Sequence, residues 1–521
     1  MQSKPDLYQI QAELQQIIND VKGVSLRNIP DDVPILDLGV TSLELVEGMR
    51  RVYDRFSVLV SIRRVIEGQV TLGGMALYIE QELNAHQTQK KKAAAPTQWK
   101  VQRKMELAPS QQYMAFISRY SDEASAAYND AIAVRLQGAL NGTALQAAVE
   151  EAGSRYEALR TSLDPDSNTL VVGSGEPLEL TVSISTPDRL AARLDDIVGR
   201  PFKIGSRLFR AELLRLNESE HILVLVGHQL LLEMQALNEI LADIARLYQL
   251  FSVNKDAGTP PPVLQWTDYL ALGDTAEAKT AHQEAENYWK ARFPTGVPLL
   301  NLPEDMPRPL VKKYSGARLA LELDPGLLEP LRLQAERLGL DLESLLLAGF
   351  ALYLHRLSGR ADLVIGVESQ PFFSDTGIPA IARTRNLLPI LSVYEPGRSF
   401  QEWARSLAAW MQEAQTHRHM PLAELLHLLQ PPRDQSRSPL FSVGFRTWSF
   451  QAPPAFTGLQ AAWAALPGSG ARYDLDLTAE IDSAGIRLVC DYSTELFRPA
   501  SVERWLRGVQ AVLRGSLASP D

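Results

Sequence analysis

Two short stretches carry residue types that could do chemistry. In LVLVGHQLLLEMQAL, residues 223–237, an apolar strand pattern passes into a helical one, and His228 stands where the period changes. An imidazole there either moves or orients a proton near neutral pH, or is a core histidine satisfied by backbone. Glu233, in the same stretch, adds a carboxylate that could act as a second acid or base. In DLGVTSLELVEGM, residues 37–49, Thr41 and Ser42 open a helical pattern. Serine is a favoured N-cap, so a purely structural role accounts for Ser42. Its hydroxyl would also lie at the positive end of a helix dipole, beside Asp37, Gly39 and an apolar rim of Leu38, Val40 and Leu43. That setting suits a phosphate ester.

The chain that must position these groups has 521 residues, enough for about three domains with substantial cores. Its only cysteine, Cys490, excludes an intrachain disulfide and a cysteine-rich metal site. The eight histidines include one close pair, His417 and His419, at a spacing that does not converge on a helical face. No metal is therefore expected. A net charge of −10 argues against a nucleic-acid partner. No apolar run reaches the roughly 18 residues of a membrane span and no basic-then-apolar leader opens the chain, so a reducing cytoplasm is the expected location, with no membrane partner.

The clearest seam is QTQKKKAAAPTQWKVQRKM, residues 87–105, basic throughout and without an acidic residue. It reads as a solvated linker. Before it, residues 1–86 form a small helical unit. Leu7, Ile10, Leu14, Ile17, Ile18 and Val21 mark a first helix, and a second is expected over about 42–55. Met75, Leu77, Ile79 and Leu83 form a third apolar stripe.

After the seam, strand and helix patterns mix in two lobes, placed at 106–270 and 271–521, with TPPPVLQW, 259–266, as the crossover. Strands are expected at 180–186, 209–216, 221–227, 317–324, 361–369, 442–448, 473–481 and 486–493. Long helices are expected through Leu231, Met234, Leu237, Ile240, Leu241, Ile244 and Tyr248, over 326–338 and 342–358, and at the end through Val502, Trp505, Leu506, Val509 and Leu513.

The first unit resembles the acyl or peptidyl carrier domains of modular synthases, through Gly39-Val40-Thr41-Ser42-Leu43, with Thr41 where Asp is commoner. The resemblance implies a four-helix bundle with 4′-phosphopantetheine covalently held on Ser42. The rest resembles the condensation domains of nonribosomal peptide synthetases, an α+β two-lobed fold similar to chloramphenicol acetyltransferase. The likeness rests on LAPSQQYM (107–114), RYEALRTSL (155–163), WTDYL (266–270), IARTRNLLPI (381–390), RDQSRSPLFSVGF (433–445) and YDLDL (473–477), in order.

In that family the strand-to-helix junction reads HHxxxDG, and its second histidine lies in a tunnel between the lobes where two carrier-bound substrates meet. His228 matches the second histidine. Gly227 replaces the first, Leu232 the Asp, Glu233 the Gly, and Tyr156 the usual histidine of the second motif. The family Asp pairs with an arginine, so its loss predicts that Arg155 or Arg160 is paired differently. Glu233 is expected to narrow the tunnel or to serve as acid or base. Ser110, Asn386 and Ser438 read as caps or loop hydrogen bonds, and Trp448 and Tyr473 as core.

The resemblance implies amide formation between a carrier-tethered acyl donor and an amine on another carrier. Other synthase modules or carriers and a phosphopantetheinyl transferase would be the partners. Substrate choice and release would lie outside this chain, which reads as cut from a longer one. The altered junction leaves two alternatives: a non-catalytic docking platform, and a changed acyl chemistry such as ester formation, dehydration or hydrolysis. Orientation supplies about 7–11 kcal/mol of such a barrier. A general base is worth about 10²–10⁴ in rate, roughly 3–5 kcal/mol. Positioning is thus the larger contribution.

Overall fold

A computed structural model describes residues 7–22, 30, 32–38, 40, 48, 51–52, 55–56, 58, 70–85, 100–165, 167–174, 176–253, 263–271, 276–370, 379–432, 434–449, 451–468 and 470–518. The chain divides into two compact units.

In the first unit, helix α1 (Leu7–Lys22) turns Ile10, Leu14 and Ile17 inward. They meet Leu72, Met75, Ala76 and Ile79 of α2 (Leu72–Ala85), and Ile35, Val40, Val52, Phe56 and Val58 complete the core. Arg55 reaches Glu13 at 2.5 Å and Arg51 reaches Asp20 at 3.5 Å. The expected second helix is described at Gly48, Arg51 and Val52, which are helical. Leu77, read as part of the apolar stripe, is exposed, because Ala76 takes the inward position.

The same unit holds a three-stranded sheet, ordered β1-β4-β3. Strand β1 (Lys100–Glu106) corrects the linker reading for the end of the 87–105 stretch. It pairs antiparallel with β4, from Lys100 opposite Ser174 to Glu106 opposite Thr169, and Lys104 binds Asp164 at 2.7 Å. Lysines on an edge strand keep further strands from adding there, so the basic composition suits a strand as well as a linker. Helix α3 (Pro109–Tyr120) carries Ser110 in its first turn. Strands β3 (Thr161–Leu163) and β4 (Thr169–Ser174) finish the sheet.

The second unit contains the larger part of the N-terminal lobe and the C-terminal lobe. One lobe is built on a five-stranded sheet, ordered β14-β2-β7-β6-β5. It uses β2 (Asn129–Gln137), β5 (Leu180–Ile184), β6 (Phe209–Arg215) and β7 (Glu220–His228), with α4 (Gly142–Arg155) and α5 (Met234–Val253) packed on each other. β7 lies between β2 and β6, and Ile222 through Val226 have no exposed surface. That is why this strand reads as a continuous apolar run.

The other lobe holds a six-stranded mixed sheet, ordered β12-β10-β13-β15-β16-β9. Its strands are β9 (Gly316–Glu322), β10 (Asp362–Glu368), β12 (Leu387–Val393), β13 (Val443–Ser449), β15 (Leu475–Ile481) and β16 (Ile486–Ser493). Helix α7 (Leu342–Ser358) is capped by Asp341, whose side chain accepts the Ser344 N–H at 2.7 Å, and stops at Gly359 with φ of 68°. It is buried nearly all round, and α8 (Pro499–Ala518) packs on it. Tyr473 lies in this core, as expected, while Trp448 is half-buried.

Two connections cross between the lobes. Strand β14 (Gln460–Trp463), from the stretch assigned to the C-terminal lobe, pairs antiparallel with β2 and so belongs to the N-terminal lobe's sheet. The division at residue 270 is corrected to that extent, because an open edge of β2 recruits a strand from across the boundary. The short strand β8 (Leu264–Gln265), followed by helix α6 (Trp266–Ala271), pairs parallel with β11 (Ala380–Ile381). Among the described residues no single helix is long and apolar enough to cross a membrane.

Gly366 of β10 has no room for a methyl group, since an added Cβ would run into the Phe441 ring. Gly366→Ala is expected to lower stability by about 1–3 kcal/mol, the usual range for overpacking, read from the thermal or urea unfolding of the purified chain.

Candidate functional site

His228 is the last residue of β7, opposite Asn129 of β2, and has no exposed surface. Three backbone groups fold back onto it. The Leu230 N–H donates to Nδ1 at 3.0 Å, and the N–H groups of Leu231 and Leu232 donate to its carbonyl, each at 3.0 Å. Leu231 therefore lies in a turn, and α5 begins only at Met234, which corrects the helix start read from the periodicity. An Nδ1 that accepts a hydrogen bond carries no proton, so in the neutral ring the proton is on Nε2. The imidazole is set to donate through Nε2.

Two residues beside His228, Gly227 and Leu232, pack closely. A Cβ on Gly227 would lie 2.9 Å from Cβ and Cδ1 of Leu232, and 3.2 Å from Cδ2 of Leu237. Leu232, buried, thus fills the space a first histidine would enter.

The arginine expected to lose its carboxylate has another. Arg155 Nη1 is 2.6 Å from Oδ2 of Asp243 on α5, the Tyr156 hydroxyl donates to the same oxygen at 2.8 Å, and Arg246 Nε reaches Oδ1 at 3.0 Å. Asp243 is buried, so its charge is matched by two guanidinium groups and a phenol. Burial, reinforced by the Asp243 carboxylate, pushes the Tyr156 hydroxyl well above its ordinary range and keeps it a donor. This partner was invisible in the motif because it lies on the following helix.

Glu233 is half-buried and both its oxygens are engaged. Oε1 accepts from the Thr384 hydroxyl at 2.5 Å and Oε2 from the Arg385 N–H at 3.3 Å. Burial raises its pKa, an effect that Arg385 and the Thr384 hydroxyl oppose only in part. Nearby Glu368 moves the other way: burial would raise it, but Arg446 and Arg385 outweigh that and hold it below the ordinary carboxylate range.

Hydrogen bonds knit the separated motifs together here. Gln265 Oε1 accepts the Glu157 N–H at 3.0 Å, Thr267 donates to Glu157 at 2.7 Å, and the Tyr269 hydroxyl donates to the Thr384 carbonyl at 3.0 Å. On the other side of His228, Gln229 donates to Asp130 at 2.9 Å. Asn386 and Ser438 hold loops, as expected: the Asn386 amide donates to the carbonyls of Arg418 and Met420, and the Ser438 hydroxyl to that of Arg472.

Ser42 lies outside the described residues, as do Gly39 and Thr41. Val40, two positions earlier, is buried in the helical core. A serine hydroxyl fits a phosphodiester link to 4′-phosphopantetheine. Among the described residues no group of three or more His, Cys, Asp or Glu could hold a metal ion.

Two substitutions test this arrangement. Asp243→Ala leaves two arginines without their shared carboxylate and should destabilise the chain by about 3–5 kcal/mol. Gly227→Ala should cost about 1–3 kcal/mol, and Leu232→Ala in the same chain should recover part of that loss, a coupling measured by a double-mutant cycle in urea.

Comparison with known proteins identifies the domains. The family described as "Condensation domain" matches residues 101–521, and the one described as "Phosphopantetheine attachment site" matches residues 12–79. The chain is similar to two proteins of Brevibacillus parabrevis. It is 27% identical to tyrocidine synthase 3 over 97% of this chain and 8% of that protein. It is 28% identical to tyrocidine synthase 2 over 97% of this chain and 14% of that protein. It therefore spans a small part of these relatives. In fold it is similar to the X-domain in complex with OxyB from teicoplanin biosynthesis, with a TM-score of 0.69 and 24% identity over 82% of this chain and 97% of that one. It is also similar to holo-AB3403, a four-domain nonribosomal peptide synthetase, with a TM-score of 0.72 and 18% identity over 84% of this chain and 34% of that one. The chain belongs to the condensation-domain family and carries, ahead of that domain, a carrier domain of the phosphopantetheine-attachment family.

Proposed function

We propose that this carrier and condensation pair joins an acyl donor, tethered through 4′-phosphopantetheine, to an amine acceptor on another carrier. The amine nitrogen bonds to the thioester carbon, the carbon–sulfur bond breaks, and the amine proton ends on the departing thiol. The prosthetic group on Ser42 supplies a flexible thioester arm. Its partners would be neighbouring synthase modules or carriers and the phosphopantetheinyl transferase that modifies Ser42, in a cytoplasmic setting without nucleic acid or membrane.

The observation that carries this reading is the ring of His228, held at a strand end with its tautomer set by the Leu230 N–H. Its role follows from that tautomer. The protonated Nε2 suits hydrogen-bond donation to the oxygen that gains charge as nitrogen adds to the thioester. Losing such a donor typically costs about 10²–10³ in rate. Taking the amine proton on Nε2 would instead require the ring proton to leave first. Holding the two substrates together remains the larger contribution, at about 7–11 kcal/mol.

A second reading, a docking platform without chemistry, is favoured by one observation: His228 has no exposed surface, and apolar packing of Leu232 replaces the family's polar neighbours. Ester formation, dehydration or hydrolysis through Glu233 has less support, since both its carboxylate oxygens already accept hydrogen bonds.

The full chain, loaded on Ser42 with an acyl-pantetheine arm and offered amine-bearing carriers, separates the two. Ser42→Ala is expected to abolish loading, as seen by intact-protein mass. His228→Ala should slow amide formation about 10²–10³-fold while leaving the apparent KM for the loaded carriers nearly unchanged. Equal rates with and without the imidazole would remove His228 from the chemistry. No product from any amine or alcohol acceptor would support the platform.

A further inference from the structure

Glu233 stands where the family has a glycine, and its carboxylate spans from one lobe to the other. The residue closes the turn after β7 and its carbonyl accepts the Leu237 N–H at 3.1 Å, so its backbone belongs to the start of α5. Its side chain reaches residues 384 and 385, between β11 and β12. That segment is held elsewhere too. Ala380 and Ile381 pair with Leu264 and Gln265, and the Thr384 carbonyl takes the Tyr269 hydroxyl at 3.0 Å.

We propose that Glu233 is a positioning residue, a tie between the lobes that fixes the Thr384–Arg385 segment against the junction that ends in His228. Each carboxylate oxygen accepts one donor from the segment, one from a side chain and one from the backbone. Burial raises the pKa of this carboxyl group on balance, and Arg385, the Thr384 hydroxyl and Arg383 offset that only in part. A glycine would remove both acceptors together and leave the segment to its flanking ties, the β8–β11 pairing and Tyr269 on one side and Asn386 on the other. The family's position for close backbone packing has thus become a crossbeam. The effect of the tie on turnover rests on the acyl-transfer reading above, whereas the tie itself stands without it.

Hydrogen exchange of the Arg385 amide in the full chain reads the tie directly. Glu233→Gly should speed that exchange at least about tenfold. Glu233→Gln, which keeps one acceptor oxygen, should fall between it and the unaltered chain. Thr384→Val, close to isosteric, should speed it by a smaller factor, and it keeps the test sharp if the glycine variant folds poorly. Exchange at Arg385 unchanged in both Glu233 variants would overturn the proposal. In the amide-forming assay, Glu233→Gln and Thr384→Val should both raise KM for the loaded carrier with kcat largely kept, and their effects should not add. A kcat collapse in Glu233→Gln with none in Thr384→Val would make Glu233 an acid or base and overturn the tie. If the unaltered chain turns nothing over, the acyl-transfer reading fails while the exchange result still decides the tie.

Discussion

The turn at the end of β7 depends on one hydrogen bond between the Leu230 N–H and Nδ1 of His228. The Gln229 N–H still donates across to the Tyr128 carbonyl, and beyond it the N–H groups of Leu230, Leu231 and Leu232 would be orphaned in a buried place without new acceptors. The ring and the carbonyl of His228 supply them. One residue therefore ends the strand, shapes the turn and sets its own tautomer. Every neighbouring substitution has to be compatible with that fold-back, because α5 cannot begin until the turn is complete.

The compensations around it follow a common physical rule. An apolar side chain filled the volume that Gly227 opened, so no cavity remained at the Leu232 position. An unpaired buried guanidinium would have been costly, and Asp243 removes that cost from α5, far away in sequence but adjacent in space to Arg155 and Tyr156. Arg246, one helical turn beyond Asp243, joins the same carboxylate. The charges of Arg155 and Asp243 match each other, with Arg246 on the second oxygen.

His355 shows what a purely structural histidine in this fold looks like. Its Nδ1 meets the Arg360 carbonyl and its Nε2 the Ser392 hydroxyl, each at 2.8 Å, in the core beside Trp403. That ring joins a helix end to a sheet and lies far from every family motif in sequence. His228 differs in place: it ends a strand five residues before Glu233, whose carboxylate binds Thr384, and Gln265, Thr267 and Tyr269 link the second, third and fourth motifs to one another. The hydrogen bonds that follow this junction tie Glu233 to the segment of residues 384 and 385.

Much of the architecture was legible in the chain itself. Apolar periodicity placed α7 over 342–358 and β16 over 486–493 to the residue, since a helix buried nearly all round and a central strand leave little choice of pattern. The ordered motifs identified the two domains. Local sequence could not place β1 or β14, short or polar edge strands whose identity comes from a distant pairing partner. Nor could it tell that Leu232 fills the space beside Gly227, that Asp243 takes over Arg155, or that Glu233 reaches Thr384. Packing volume and buried charge are balanced between residues close in space, and only the tertiary fold decides which residues those are.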